Sequence, residues 1–210
     1  EPGLHDAPRW VDAEKILYAT RSADGVSLEN VAKLRNADGS GLPRVVGGTS
    51  SSGASSVYLE TTPDPARFLR IIDVAGRGSL RLQRFDESGE PPPPERVLRE
   101  EPEPDVLDMR LSPDGHLMAY VVDEGGTPEV FLTRFPSGDG KWQVSQGGGR
   151  LPRWDPQGGT LYFVAGTGPA QRSMVAVAVD AREPIPAGGR QTLFDLQGVE
   201  LDSSGSAGGL

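Results

Sequence analysis

The chain has 210 residues, a formal net charge of −9 and no cysteine. The lack of cysteine excludes disulfides, thiolate catalysis and cysteine-ligated zinc, and the acidic balance argues against nucleic-acid binding, whose affinity comes largely from cations on phosphates. Glycine (28 residues) and proline (19 residues) suit a chain with many tight turns, and no apolar run approaches the ~18–20 residues of a membrane span, so we expect no direct membrane insertion.

The first half of the chain alternates between short apolar runs and turn residues. The first predicted strand ends at Trp10. The others cover residues 15–20, 30–35, 43–46, 68–74 and 80–85. A glycine- and serine-rich connection separates two groups of strands at 47–56. Residues 90–95 hold four prolines between two glutamates, and proline cannot donate to a sheet ladder. We therefore expect an outer bulge there, with four-stranded units at about 8–49 and 57–103.

The second half repeats this pattern more regularly. Ser112-Pro113-Asp114-Gly115 is a turn sequence, because proline presets φ, aspartate caps the backbone and glycine accepts positive φ. The strands predicted in this half cover 109–111, 116–122, 129–135, 141–145, 160–165, 174–179 and 192–196. These strands form units at about 104–149 and 150–196, and 197–210 is a tail or the start of a further unit. No helix is predicted.

Internal offsets support a repeat architecture. Pro113 lies 50 residues after Pro63, Arg134 lies 50 residues after Arg84, and the Pro-Arg-Trp of 8–10 recurs at 152–154. A period of roughly 40–50 residues with four strands in each period is typical of propeller blades. A meander or sandwich with accidental turn spacing is the alternative.

These residues also resemble a known family. The turn at 112–115 with the strand that follows it, Phe135-Pro136, the segment 141–145 and Pro152-Arg153-Trp154 closely resemble the TolB-type propeller repeat. The resemblance is strong over 106–196 and weaker over 8–100, where Pro65 replaces the turn glycine. It implies an all-β propeller of four-stranded antiparallel blades, with about four blades in this chain.

The resemblance also bears on blade number and compartment. TolB-type propellers usually have six or more blades, so four blades leave three alternatives: the chain is part of a larger propeller, a second chain completes it, or four blades close by themselves. The version associated with bacterial Ser/Thr kinases looks nearest. The resemblance therefore implies a periplasmic scaffold or the extracytoplasmic sensor region of a membrane kinase.

Catalytic and metal-binding patterns are absent from the sequence. There is no Gly-x-Ser-x-Gly nucleophile elbow, no kinase His-Arg-Asp or Asp-Phe-Gly motif, and the two histidines, His5 and His116, are isolated. The glycines at 147–149 separate two strands and do not precede a helix, so they are turn residues and not a phosphate loop. We predict a protein that is not an enzyme and has no cofactor and no metal site.

Four charged residues occupy equivalent repeat positions. Arg9, Arg110 and Arg153 each precede the last apolar residue of a predicted first strand, and Glu60 takes that place in the second repeat. One hypothesis is a charged ring at the mouth of a propeller channel, which would hold an acidic tail or small anion. The alternative is structural: each arginine hydrogen-bonds carbonyls of a neighbouring blade or an aspartate.

The leading functional prediction is a non-enzymatic protein-interaction or scaffold module. It would present a loop rim and channel mouth to a protein or peptide partner, and not to nucleic acid. One alternative is an accessory propeller of a hydrolase or lyase whose catalytic residues lie elsewhere. Another is a structural subunit of a larger envelope assembly.

Overall fold

The computed structural model describes residues 4–23, 28–48, 58–74, 77–85, 93–123, 125–168, 171–180, 189–196 and 199. Every secondary-structure element identified in this part of the chain is a β-strand, which confirms the all-β prediction. None of the described residues forms a helix long and apolar enough to cross a membrane. The predicted tail at 197–210 apart from Val199, most of the 47–56 connection and residues 90–92 of the proline run lie outside the described residues.

The chain divides into two compact units, Glu1–Leu98 with Ser206–Leu210, and Arg99–Gly205. Each unit contains two four-stranded sheets. The strands of the first unit are β1 (Leu4–Trp10), β2 (Lys15–Ala23), β3 (Leu28–Asn36), β4 (Arg44–Gly48), β5 (Tyr58–Thr61), β6 (Arg67–Val74), β7 (Arg77–Arg84) and β8 (Glu95–Arg96). The strands of the second unit are β9 (Val106–Leu111), β10 (Leu117–Asp123), β11 (Pro128–Arg134), β12 (Trp142–Gln143), β13 (Gly149–Trp154), β14 (Thr160–Ala165), β15 (Ser173–Ala178) and β16 (Arg190–Asp195).

Every sheet is built in chain order. The first sheet is β1-β2-β3-β4, the second β5-β6-β7-β8, the third β9-β10-β11-β12 and the fourth β13-β14-β15-β16. Neighbouring strands pair antiparallel throughout. The prediction of four-stranded antiparallel blades is therefore confirmed.

The fourth strand of the third sheet is shorter than predicted. The sequence indicated a strand over 141–145, whereas β12 holds only Trp142–Gln143. Beyond Gln143 the amide of Val130 donates to the hydroxyl of Ser145 at 2.8 Å, and not to a backbone carbonyl. A side chain thus takes over one position of the ladder, which ends the strand while keeping the amide satisfied.

The first and second sheets pack face to face in the first unit. Their shared core contains Leu17, Leu34, Leu59 and Phe68, all at least 93% buried. Phe68 also stacks on Phe85 with ring centroids 4.9 Å apart. Alternation along β2 sends Leu17 and Ala19 into this core, so Ile16 and Tyr18 lie on the opposite face.

The third and fourth sheets pack in the same way in the second unit. Their core joins β10 and β11 to β14 and β15 through aliphatic side chains and one phenylalanine. The residues of this core are Leu117, Ala119, Val121, Val130, Leu132, Val144, Leu161, Phe163, Val175, Val177 and Val179. Strand β10 is buried on both faces, which explains its almost continuous apolar sequence.

Candidate functional site

The four charged residues singled out by the repeat all lie on the first strand of a sheet. Arg9 is on β1, Glu60 on β5, Arg110 on β9 and Arg153 on β13. Arg9 and Glu60 belong to the first unit, and Arg110 and Arg153 belong to the second. They therefore form two sites, one in each unit.

In the first unit, Arg9 and Glu60 form an ion pair. The Nε of Arg9 lies 3.3 Å from Glu60 Oε2, and Nη1 of Arg9 donates to the carbonyl of Pro8 at 3.4 Å. Both side chains are partly exposed. This pair joins the first strands of two neighbouring sheets, and a partly exposed pair of this kind contributes little to stability.

In the second unit, Asp108 lies between Arg110 and Arg153. Nη1 of Arg110 donates to Asp108 Oδ1 at 2.8 Å and also to the carbonyl of Met109. Nη1 of Arg153 lies 3.6 Å from Asp108 Oδ2, and donates to the carbonyl of Pro152 at 2.7 Å. We refer to Asp108, Arg110 and Arg153 as the Asp108 cluster.

The members of the Asp108 cluster differ in how deeply they are buried. Asp108 and Arg110 are almost fully buried, whereas 36% of the Arg153 side chain is exposed. Burial raises the pKa of the Asp108 carboxyl, against the opposing pull of the two guanidinium groups and the hydrogen bond from the Met109 amide. The side chain of Arg153 is thus the member of the cluster that solvent or a ligand can reach.

A bulge in β13 sets the direction of Arg153. The pairing of β13 with β14 shifts register between Arg150 and Arg153, and Leu151 adopts a left-handed φ of 54°. Bulges re-aim the side chains that follow them. Just beyond Arg153, the indole of Trp154 donates to the carbonyl of Arg110 at 3.1 Å, which ties β13 to β9.

Asp108 was missed as a partner for these arginines by sequence reasoning. It lies on β9 two residues before Arg110, and residues i and i+2 of a strand share a face. That spacing is the signal that could have identified it. The two arginines of the second unit contact an aspartate, as the structural alternative expects. Arg9 instead pairs with Glu60, and the carbonyl that each arginine bonds belongs to the preceding residue of its own strand. A ring that includes all four charged residues stays a prediction.

A second polar group is buried on the second sheet. Arg70 is 4% exposed and donates to Gln83 Oε1 at 3.2 Å, and its cross-strand neighbour is Arg81. Burial, together with the charge of Arg81, lowers the pKa of Arg70 to about 10. No sequence pattern indicated this residue, since charged residues at alternate positions normally face solvent.

Metal ligands are not grouped in the described part of the chain. No three His, Asp or Glu side chains among those residues lie close enough together to hold an ion.

Comparison with solved structures identifies the fold. No family model and no curated protein sequence matches the chain. Solved structures do match: TolB from Acinetobacter baumannii (TM-score 0.65, 17% identity, 92% of this chain and 44% of that chain) and a putative TolB from Agrobacterium tumefaciens (TM-score 0.65, 18% identity, 93% of this chain and 63% of that chain).

Peptidase structures match over a smaller share of their length. Prolyl oligopeptidase B from Galerina marginata gives a TM-score of 0.63 at 10% identity, over 90% of this chain and 26% of that chain. The chain thus spans less than two thirds of each of these proteins. With four antiparallel four-stranded sheets and these structural matches, the chain has the fold of a TolB-like β-propeller region.

Proposed function

We propose that this chain is a non-enzymatic interaction module that binds a protein or peptide partner through an acidic group. The observation that carries the proposal is the partly exposed side chain of Arg153, whose guanidinium lies beside the buried carboxylate of Asp108. A guanidinium presents donors in a fixed fork that matches a carboxylate. Two backbone carbonyls and Asp108 orient the cluster, so that a ligand meets a positioned group.

The test uses a fluorescein-labelled tetraglutamate peptide, whose binding is followed by fluorescence anisotropy. We expect Arg153→Ala to weaken binding about tenfold, as the loss of one charge-assisted hydrogen bond predicts. The matched control is Arg150→Ala, since Arg150 is an exposed arginine on the same strand. That variant should bind nearly as well as the unchanged protein.

The Arg110→Ala, Arg153→Ala double variant extends this test. If it binds the peptide with unchanged affinity, or if Arg150→Ala weakens binding as much as Arg153→Ala does, the Asp108 cluster is not the binding site. Failure of the unchanged protein to bind the peptide would contradict the proposal as a whole. Circular dichroism spectra of all variants check that they remain folded.

The alternative of an accessory propeller in a hydrolase is favoured by one observation, the match to prolyl oligopeptidase B over 26% of that chain. In this case the propeller would be attached to, or associated with, a catalytic domain. Purification of the tagged protein from its native cells, followed by mass spectrometry, tests this. A partner or chain extension that carries Gly-x-Ser-x-Gly would support the hydrolase alternative.

We further propose an extracytoplasmic location in the bacterial envelope, either as a scaffold or as the sensor region of a membrane kinase. The likeness to TolB structures supports this location. A structural subunit of an envelope assembly would occupy the same compartment. Fractionation of native cells with an antibody to the chain tests the location, and recovery in the cytoplasmic fraction alone would contradict it.

A further inference from the structure

The packing of the fourth sheet on the third shows how one sheet is fitted to the sheet before it. Trp154, the last residue of β13, packs against the core shared with the third sheet. Its indole donates to the carbonyl of Arg110, the residue before the end of β9. A tryptophan at the end of a first strand therefore anchors its sheet to the first strand of the preceding sheet.

Trp10 occupies the same repeat position in the first sheet. Both tryptophans end a first strand and both follow Pro-Arg, at 8–10 and 152–154. Trp10, however, is 62% exposed. Its cross-strand partner is Ile16, on the face of the first sheet opposite the core side chains Leu17 and Leu34. The side chain of Trp10 thus points away from the second sheet and is mostly exposed to solvent.

The exposed face around Trp10 is largely apolar, with two cations. Cross-strand pairing places Trp10, Ile16 and Arg35 in one row and Tyr18, Lys33 and Val45 in the next. We call these six residues the Trp10 face. Val45 is 48% exposed, so this side of the sheet leaves substantial apolar surface in water. Such surfaces commonly mark interaction sites.

The fourth sheet has a partly exposed face of the complementary kind. Opposite its core side chains, pairing places Tyr162, Ala176 and Gln191 in one row and Val164, Met174 and Phe194 in the next. We call these six residues the Phe194 face. Phe194 is 54% exposed whereas Val164 is buried, and none of the six side chains is charged. This face lies on the side of the fourth sheet opposite the third sheet.

The charges of the Trp10 face and of the Phe194 face indicate which of these faces can pack together. Two Trp10 faces packed together would bring Lys33 and Arg35 of one copy against the same cations of the other, which is unfavourable. The Phe194 face offers neutral aliphatic side chains and two aromatic rings, which accept cations favourably. Pairing of the two different faces also continues the stacking already present between the third and fourth sheets, in which a tryptophan-bearing sheet follows another sheet.

We propose that the Trp10 face of one molecule binds the Phe194 face of a second copy of this chain, head to tail. The indole of Trp10 would donate to the carbonyl of Arg153, as Trp154 donates to Arg110. Arg153 precedes the last residue of β13 just as Arg110 precedes the last residue of β9. The contact is heterologous, because each copy contributes a different surface.

Sedimentation velocity over a dilution series from about 1 to 100 µM, the range of weak to moderate protein association, tests the proposal. The unchanged protein should form dimers or larger species as concentration rises. Trp10→Glu and Phe194→Glu should each raise the dissociation constant by at least about 30-fold, since each removes a central aromatic anchor and introduces a charge. Leu42→Glu is the matched control, because Leu42 is 92% exposed in the connection between β3 and β4, outside both faces.

Mixing the two variants identifies the head-to-tail arrangement. Trp10→Glu keeps an intact Phe194 face and Phe194→Glu keeps an intact Trp10 face, so an equimolar mixture should form a mixed complex that neither variant forms alone. A monomer at every concentration, no complex in the mixture, or dissociation by Phe194→Glu alone would overturn the proposal. Should circular dichroism show that a glutamate variant is unfolded, Trp10→Ser and Phe194→Ser serve for the same measurements.

Discussion

Asp114 shows how one side chain fixes the turn that marks the repeat. Its Oδ1 accepts hydrogen bonds from the hydroxyl of Ser112 at 2.6 Å and from the amide of His116 at 3.1 Å, while Gly115 takes a φ of 70°. Partial burial pushes the pKa of Asp114 upward, but the hydrogen bonds from Ser112 and His116 outweigh it and hold the pKa below its usual value. The predicted capping role of this aspartate is therefore present in the structure.

We expect Asp114→Ala to lower the free energy of unfolding by about 1 kcal/mol at pH 7, because two donors lose their acceptor. The folded state depresses this pKa, so the contribution is present above the ordinary carboxyl value of about 3.9. It is lost as pH falls through the folded-state pKa. Urea unfolding at pH 7 and pH 3 measures the difference between the variant and the unchanged protein, which should shrink at pH 3.

Asp114→Asn is the control for this prediction, since it keeps an acceptor oxygen without the titratable charge. It should retain most of the stability at pH 7. A penalty for Asp114→Ala that is as large at pH 3 as at pH 7 would show that the carboxylate does not act in this way.

At the scale of elements, the connection from β12 to β13 is held by a buried polar cluster. The hydroxyl of Ser145 donates to Glu129, whose other carboxylate oxygen accepts the Gly148 amide at 3.0 Å. Ser145 is fully buried and caps the amide of Val130. Gly149 packs directly on this cluster, and a Cβ there would lie 2.9 Å from Val130 Cγ2 and even closer to Ser145. The third and fourth sheets thus meet at a position that only glycine fits.

We expect Gly149→Ala to destabilise the protein by about 1–3 kcal/mol, because the added methyl overpacks the junction of two strands. The matched control is Gly159→Ala, where the structure leaves open space around the new methyl. Thermal and urea unfolding of both variants measure the difference. Equal stability of the two variants would mean that the junction relaxes freely around the extra methyl group.

At the scale of the whole molecule, the net charge disfavours the binding of polyanions. The net charge of −9 is distributed over 30 acidic and 21 basic residues. A protein with this balance repels a polyanion at long range, and its local arginine sites are too few to release many counterions from DNA. We therefore expect partners with few acidic groups, such as the carboxylates of a short peptide.

The corresponding prediction concerns double-stranded DNA. In a mobility-shift experiment with a 30-bp duplex, chosen here as a probe, we expect no complex at about 150 mM salt and a dissociation constant weaker than about 100 µM. A basic DNA-binding protein measured in parallel controls for the conditions. A complex whose affinity falls steeply with added salt would reveal a basic surface and contradict the prediction.

The sequence by itself determined the repeat. Local turn chemistry at 112–115, apolar runs of strand length and the recurring Pro-Arg-Trp were enough to predict four-stranded sheets, since each signal depends on residues close together in the chain. The same reasoning overestimated β12, because the hydroxyl of Ser145 replaces a ladder carbonyl. Hydrogen-bond competition of this kind depends on residues 15 positions apart.

Only the tertiary structure decided which charges meet and which anchors are covered. Arg110 and Arg153 share Asp108 because sheet packing brings β9 and β13 together, and no spacing in the sequence specifies that contact between sheets. Trp10 and Trp154 each end a Pro-Arg-Trp tripeptide, yet Trp10 is exposed and Trp154 hydrogen-bonds Arg110. An identical local sequence produces an identical strand end, but burial depends on whether another sheet faces it, and that is a property of the assembled fold.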